Sequence, residues 1–162
     1  MQIRYIGGVI ESRYPSAAEI RKGRQVKLNA DTKWVECAED ELAAGIATQA
    51  ARNIGSVPDS IDIYASNYDN GLPGEYNGRR NVLQVTFSAV GDPLGVLQGS
   101  GNKIDWIGSN PGFLGTPVVG DLLTSGPSGE FKVTANRDIA FARVEVGGDA
   151  SDPDSRISIV TI

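Results

Sequence analysis

Cys37 is the only thiol in the chain, and no histidine stands anywhere to activate it. A nucleophilic thiolate needs a neighbouring base or cation, and a serine triad needs an imidazole, so both routes to covalent catalysis lack a part. One thiol without histidine also cannot build a zinc site or an internal disulfide. Carboxylates are plentiful, twenty against fifteen Lys and Arg, but the clusters AEDE (Ala38 to Glu41) and GDASDPDS (Gly148 to Ser155) read as turns. The second carries oxygens suited to calcium, yet lacks the alternate spacing and closing glutamate of a calcium hand. A glycoside hydrolase needs two acids across a cleft, and acids confined to turns do not supply them. The glycine turns GDPLG (Gly91 to Gly95) and GSG (Gly99 to Gly101) have no Gly-Lys-Ser/Thr and no following helix, so they are not phosphate cradles. No catalytic, cofactor or metal residue is predicted, and no enzymatic activity.

The elements that would position any site are short strands. Twenty glycines and eight prolines in 162 residues imply many turns, and helix signals are scarce. The length fits one domain or two small modules sharing a core. A net charge of −5 and a lone arginine doublet, Arg79–Arg80, argue against a nucleic-acid partner. No apolar run reaches the roughly 18 residues of a membrane span. The start MQIRYIGGVIESRYP has no signal-peptide core. A soluble acidic protein without membrane or nucleic-acid partners is expected.

One sentence is written twice. GRQVKLNADTKWVECA (Gly23 to Ala38) and GDLLTSGPSGEFKVTA (Gly120 to Ala135) align without gaps, 97 residues apart. Gly23 meets Gly120, Val26 meets Leu123, Trp34 meets Phe131 and Ala43 meets Ala140. Both read as strand, polar turn, strand, with alternating apolar residues in KWVECA and EFKVTA. VPDSIDIYA (Val57 to Ala65) also resembles DPDSRISIV (Asp152 to Val160). The fold class predicted is all-β: small β-barrel or β-tulip-like modules with short strands, an internal repeat and little helix. The divisions are an N-terminal arm over 1–15, a first β module over 16–65, a central insertion with a long loop and strands over 66–117, and a second module over 118–162. The loop at Ser66 to Asn81, with Tyr68 and Tyr76, has the composition of a binding or assembly loop.

The stretch SAAEIRKGRQVKLNADTKWVECAEDELAAGIATQAA resembles the small β-rich capsid decoration, or cement, proteins of tailed bacteriophages. It shares their glycine-led G-x-x-V-x-L strand, polar turn and V-x-x-A, and it matches their acidic D-x-x-x-G-I-A strand with Glu41 at the acidic position; VGDLLTSGPSGEFKVTANRDIAFARV looks like the same element again. The likeness is strongest over Ser16 to Ala65 and Val118 to Val146, and the chain departs from the shortest members in length, insertion and doubled motif. The resemblance implies a non-enzymatic protein on the exterior of a virion capsid, bound to the major capsid protein, commonly a homotrimer, and present in host cytoplasm during assembly. Strand edges and an arm suit that role. The contact residues expected on the arm are Gln2, Ile3, Arg4, Tyr5, Ile6 and Tyr14, with Gly7-Gly8 as a hinge. The other placement of QIRYI is inside the protein, beside the final RISIVTI. A carbohydrate-binding or adhesive β module is the alternative function, and Trp34 or Trp106 exposed in a flat patch would favour it.

Overall fold

The computed structural model describes residues 2–6, 8–53, 87–108 and 112–162. These form strands, with one 3-10 turn at Arg137–Ile139 as the helical element among them. Five strands make one antiparallel sheet, in the order β2 (Val9–Glu11), β8 (Val96–Gln98), β5 (Gly45–Ala47), β3 (Gln25–Leu28) and β4 (Trp34–Glu36). Six make a second, in the order β1 (Gln2–Ile6), β9 (Lys103–Ile107), β13 (Arg156–Thr161), β12 (Ala142–Val146), β10 (Leu122–Ser125) and β11 (Phe131–Thr134). A parallel pair, β6 (Ala50–Arg52) with β7 (Phe87–Ala89), forms a third, two-stranded sheet. The fold is all-β, built of small modules from short strands, and each sheet is open-ended rather than closed into a barrel.

The repeat is a repeat of hydrogen bonds. Val26 pairs with Glu36 and Leu28 with Trp34, while Leu123 pairs with Val133 and Ser125 with Phe131. Val26 faces Gly45 on the next strand as Leu123 faces Ala142. The loops agree as well as the ladders. Gly23 N–H donates to Ala47 O at 2.8 Å, and Gly120 N–H to Val144 O at 2.9 Å. Trp34 N–H donates to Pro15 O, and Phe131 N–H to Gly112 O. Ala51 N–H donates to Ile20 O, and Gly148 N–H to Pro117 O. The reverse bond, from Ile20 N–H to Ala51 O, has no counterpart because proline at 117 has no donor. Residues 15–51 therefore correspond to 112–148 at a constant offset of 97.

The correspondence extends to whole sheets. Beside β5 lies β8, with Ile46 opposite Leu97; beside β12 lies β13, with Arg143 opposite Val160. β2 flanks β8 as β9 flanks β13. The five-stranded order recurs complete, and β1 is an addition to the second sheet. Residues 96–98 pair within the first sheet and 103–107 within the second, so after β8 the chain passes from one sheet to the other at 99–102. The stretches Val57 to Ala65 and Ser66 to Asn81, with Tyr68 and Tyr76, lie outside the described residues.

Alternation along the strands feeds two cores. In β5, Ile46 enters one core and its neighbour Ala47 the other. The smaller core gathers Ile20, Val26, Trp34, Leu94 and Val96 inside the first module. The larger holds Trp106, Phe113, Leu123, Phe131 and Ile159 of the second module, and Ile46, Leu97 and Cys37 of the first close over it. Trp34 and Phe131 are both fully buried, as the aligned sequences predict. Trp106 meets Phe113 and Phe131 edge-on at centroid distances of 5.0 and 5.3 Å, contacts worth about 0.5–1.5 kcal/mol each beyond area burial. Cys37 is a buried filler, its thiol pushed up to about 12 by burial.

The modules are joined by polar bonds at one rim of this core. The turn of the second module rests on the first: Gly129 O accepts from Gln25 N–H at 2.8 Å, and Ser125 O from Asp40 N–H at 2.9 Å. The Gln25 side chain donates to Thr124 O and Glu130 O, both at 2.9 Å. Arg24 and Glu130 form a buried ion pair at 2.7 Å. Burial pulls the Glu130 carboxyl upward, but backbone N–H donors and the charges of Arg24 and Arg21 outweigh it and hold it below its ordinary range.

Candidate functional site: two interaction surfaces

The N-terminal segment expected as an arm is a paired edge strand. QIRYI lies against β9, Gln2 opposite Ile107 and Ile6 opposite Lys103, and β9 separates it from RISIVTI. VIE then crosses to the other sheet and pairs with β8. Residues 2–6 and 9–11 thus run along the free margins of the two sheets, where no further strand pairs with them among the described residues.

Alternation decides what this margin offers. Ile3 and Tyr5 pack against the larger core, and the Tyr5 hydroxyl donates to Ala47 O at 3.4 Å. Burial raises the Tyr5 hydroxyl above its ordinary pKa, so it stays protonated. Arg4 points outward and is exposed. In β9 the even positions bond toward β13, since Gly108 N–H donates to Ser155 O and Thr161 N–H to Asn102 O. Odd positions therefore bond toward β1, at Gln2, Arg4 and Ile6, and the backbone groups of Ile3 and Tyr5 face away from the sheet. Tyr14 is not part of the margin. It packs edge-on against Trp34 at 6.2 Å in the smaller core, with the Arg13 guanidinium over its ring. Of the expected contact residues, Gln2, Ile3, Arg4, Tyr5 and Ile6 share one strand, and Tyr14 is a packing residue elsewhere. Val9 and Ile10, 73% and 54% exposed, are the apolar groups that sequence reading passed over. They line a shallow open depression with Glu11 and Arg13.

A second surface appears only when the modules are compared. Val118 and Val119, 57% and 69% exposed, occupy the positions of Arg21 and Lys22, and exposed Val133 and Val146 those of Glu36 and Gln49. In the first module Arg21 donates to Glu36 from its backbone N–H at 2.7 Å and its guanidinium at 3.1 Å, so these positions touch. In the second module the Val118 backbone abuts Gly147, and Val119 and Val146 line one depression with Lys103, Arg143 and Glu145. The aligned repeat held this signal, Arg21 against Val118 and Glu36 against Val133.

The residues singled out for other chemistry have structural uses. Asp149 Oδ1 accepts from Ser151 N–H and hydroxyl, and Asp152 Oδ1 from Asp154 N–H, each carboxylate closing its own turn. Among the described residues no group of three or more His, Cys, Asp or Glu side chains is placed to hold a metal ion. Trp34 and Trp106 are both buried, so neither belongs to a flat aromatic patch.

No family model matches the sequence, and no curated protein matches it significantly. Among solved structures, the fold is similar to the N base of head fiber gp8.5 of bacteriophage phi29, at 10% sequence identity and a TM-score of 0.51. The likeness covers 99% of this chain and 95% of that one, so it takes in both modules and the N-terminal strand together.

Proposed function

We propose that this chain is a non-enzymatic structural component of a phage virion, attached to the exterior of the capsid shell and assembled from several copies, as the decoration-protein resemblance implies. The single observation that supports it most is the likeness in fold to a head-fiber base along nearly the whole of both chains. The β1 margin suits the attachment. It presents outward backbone groups at Ile3 and Tyr5 with the Arg4 cation beside them, the equipment for adding a strand of the major capsid protein.

The test is sedimentation of the purified protein with undecorated shells. The native chain should pellet with expanded shells and ignore isolated capsid subunits. Ile3→Pro removes an outward donor while sparing the ladder with β9, and Arg4→Glu reverses the charge. Both variants should lose shell binding; the thermal midpoint should stay unchanged in Arg4→Glu and fall in Ile3→Pro, which also takes a side chain from the larger core. Failure of the native chain to bind any shell, with retention on a polysaccharide column, would replace this reading by the adhesive one.

A further inference from the structure

We infer that the segment adding along β1 is an extended strand carrying one carboxylate opposite Arg4, with an apolar residue on either side of it. This selectivity rests on the attachment edge proposed above and names the chemistry that the edge admits. Every ladder of the six-stranded sheet is antiparallel. A strand that continues the sheet in this sense bonds to the outward backbone groups of Ile3 and Tyr5. Its residue opposite Arg4 then falls in a non-hydrogen-bonded pair, the closer kind, with Cα atoms about 4.5 Å apart. Opposite charges in such a pair attract, and like charges repel.

Arg4 is left free for that role by its own neighbours. Its partner across the ladder is Asp105, the acid nearest to it in register. Asp105 is buried and committed elsewhere: one oxygen accepts from the Ser158 hydroxyl and the other from the Arg156 guanidinium at 2.7 Å. Lys103, on the same face of β9, is likewise held by Glu145 at 2.6 Å. Arg4 is exposed and has no ion-pair partner among the described residues. An unmatched cation beside an edge of open N–H and C=O groups favours an acid on the incoming strand over a base. The flanking positions are set by the other face of β1. Ile3 and Tyr5 are half-buried against the larger core, so residues paired with them lie beside apolar surface and extend it.

Fluorescence anisotropy with labelled nine-residue peptides tests this pairing. The peptide Thr-Val-Thr-Val-Asp-Val-Thr-Val-Thr carries the pattern, and two others have Asn or Lys in place of its Asp. The native chain should bind the Asp peptide about threefold more tightly than the Asn peptide and about tenfold more tightly than the Lys peptide. In Arg4→Glu the order should reverse, with the Lys peptide bound best. N-methylation of the two valines beside Asp removes the donors that meet the Ile3 and Tyr5 carbonyls, and should abolish binding without any change to the protein. Equal affinity for the three peptides, a preference for Asp that survives in Arg4→Glu, or no binding of any peptide at about one millimolar each overturns the pairing. Shell sedimentation is read separately. Shells that hold the native and Arg4→Glu chains alike overturn the pairing and spare the attachment. Peptides ranked as expected, beside shells that bind nothing, support the pairing and overturn the attachment.

Discussion

The two modules share a backbone and differ in what each face must meet. In the first, the face bearing Gln25, Cys37, Ile46 and Leu97 lies against the second module and is buried. The matching face of the second carries Leu122, Thr134, Arg143 and Val160, half-buried or exposed. The turns diverge in the opposite sense: the second module's 126–130 turn is pressed against its neighbour, while 29–33 is open to solvent. Duplication thus produced one internal contact and two unlike ends.

The equivalence of the cores makes the largest prediction. Trp34→Ala and Phe131→Ala should each cost about 3–5 kcal/mol, since both rings are fully buried. For a chain of this size that lowers the thermal midpoint by about 10 °C or more. Phe131→Ala should be the worse, because that ring also stacks on Phe113 at 4.9 Å in the core both modules share. A loss under 1 kcal/mol for Trp34→Ala would break the equivalence.

Next comes the bond between modules. Arg24→Ala leaves Glu130 charged beneath the junction and should cost about 3 kcal/mol in chemical denaturation, at the low end for a buried pair. Glu130 is held below its ordinary pKa, so its contribution is full above about pH 4.3 and is lost as pH falls through the lower folded value. Removing Arg24 raises that folded value, so acid unfolding of the variant should begin at higher pH than in the native chain. Coincident acid profiles would show that the pair does not couple the modules.

The smallest effect separates the two turns at one backbone position. Thr32 and Gly129 both have positive φ, 60° and 70°. A Cβ on Gly129 would stand 2.6 Å from Gln25 O, so Gly129→Ala should cost about 2 kcal/mol from strain and collision together. Thr32→Gly relieves a β-branched residue of the same strain in open solvent and should raise stability by about 0.5 kcal/mol, the gain trimmed by glycine's entropy when unfolded. Differential scanning calorimetry of the pair checks both signs.

Much of this was legible in the sequence, for an identifiable reason. Gly23 and Gly120, Trp34 and Phe131 are fixed by a positive φ and by a closed core, so they survive divergence and align. GVLQG reads as a short strand, but its place beside β5 was not legible, because nearly fifty residues separate Ala47 from Val96 and short strands such as VLQ look alike. The N-terminal strand was half-read: alternation in QIRYI announces a strand, but choosing between arm and edge depends on β9, about a hundred residues away. Surface residues obey no such constraint, so the valines became visible only once the modules could be laid position on position.

Amide hydrogen exchange by NMR tests the duplication most directly, since it reads the bonds one by one. Gly23 and Gly120, Trp34 and Phe131, Ala44 and Phe141, Ala47 and Val144 are all donors in matched bonds of the two modules. These amides should exchange slowly in pairs, each partner protected together with its counterpart 97 residues on. Slow exchange in one module with fast exchange at the matching positions of the other would contradict the tandem fold.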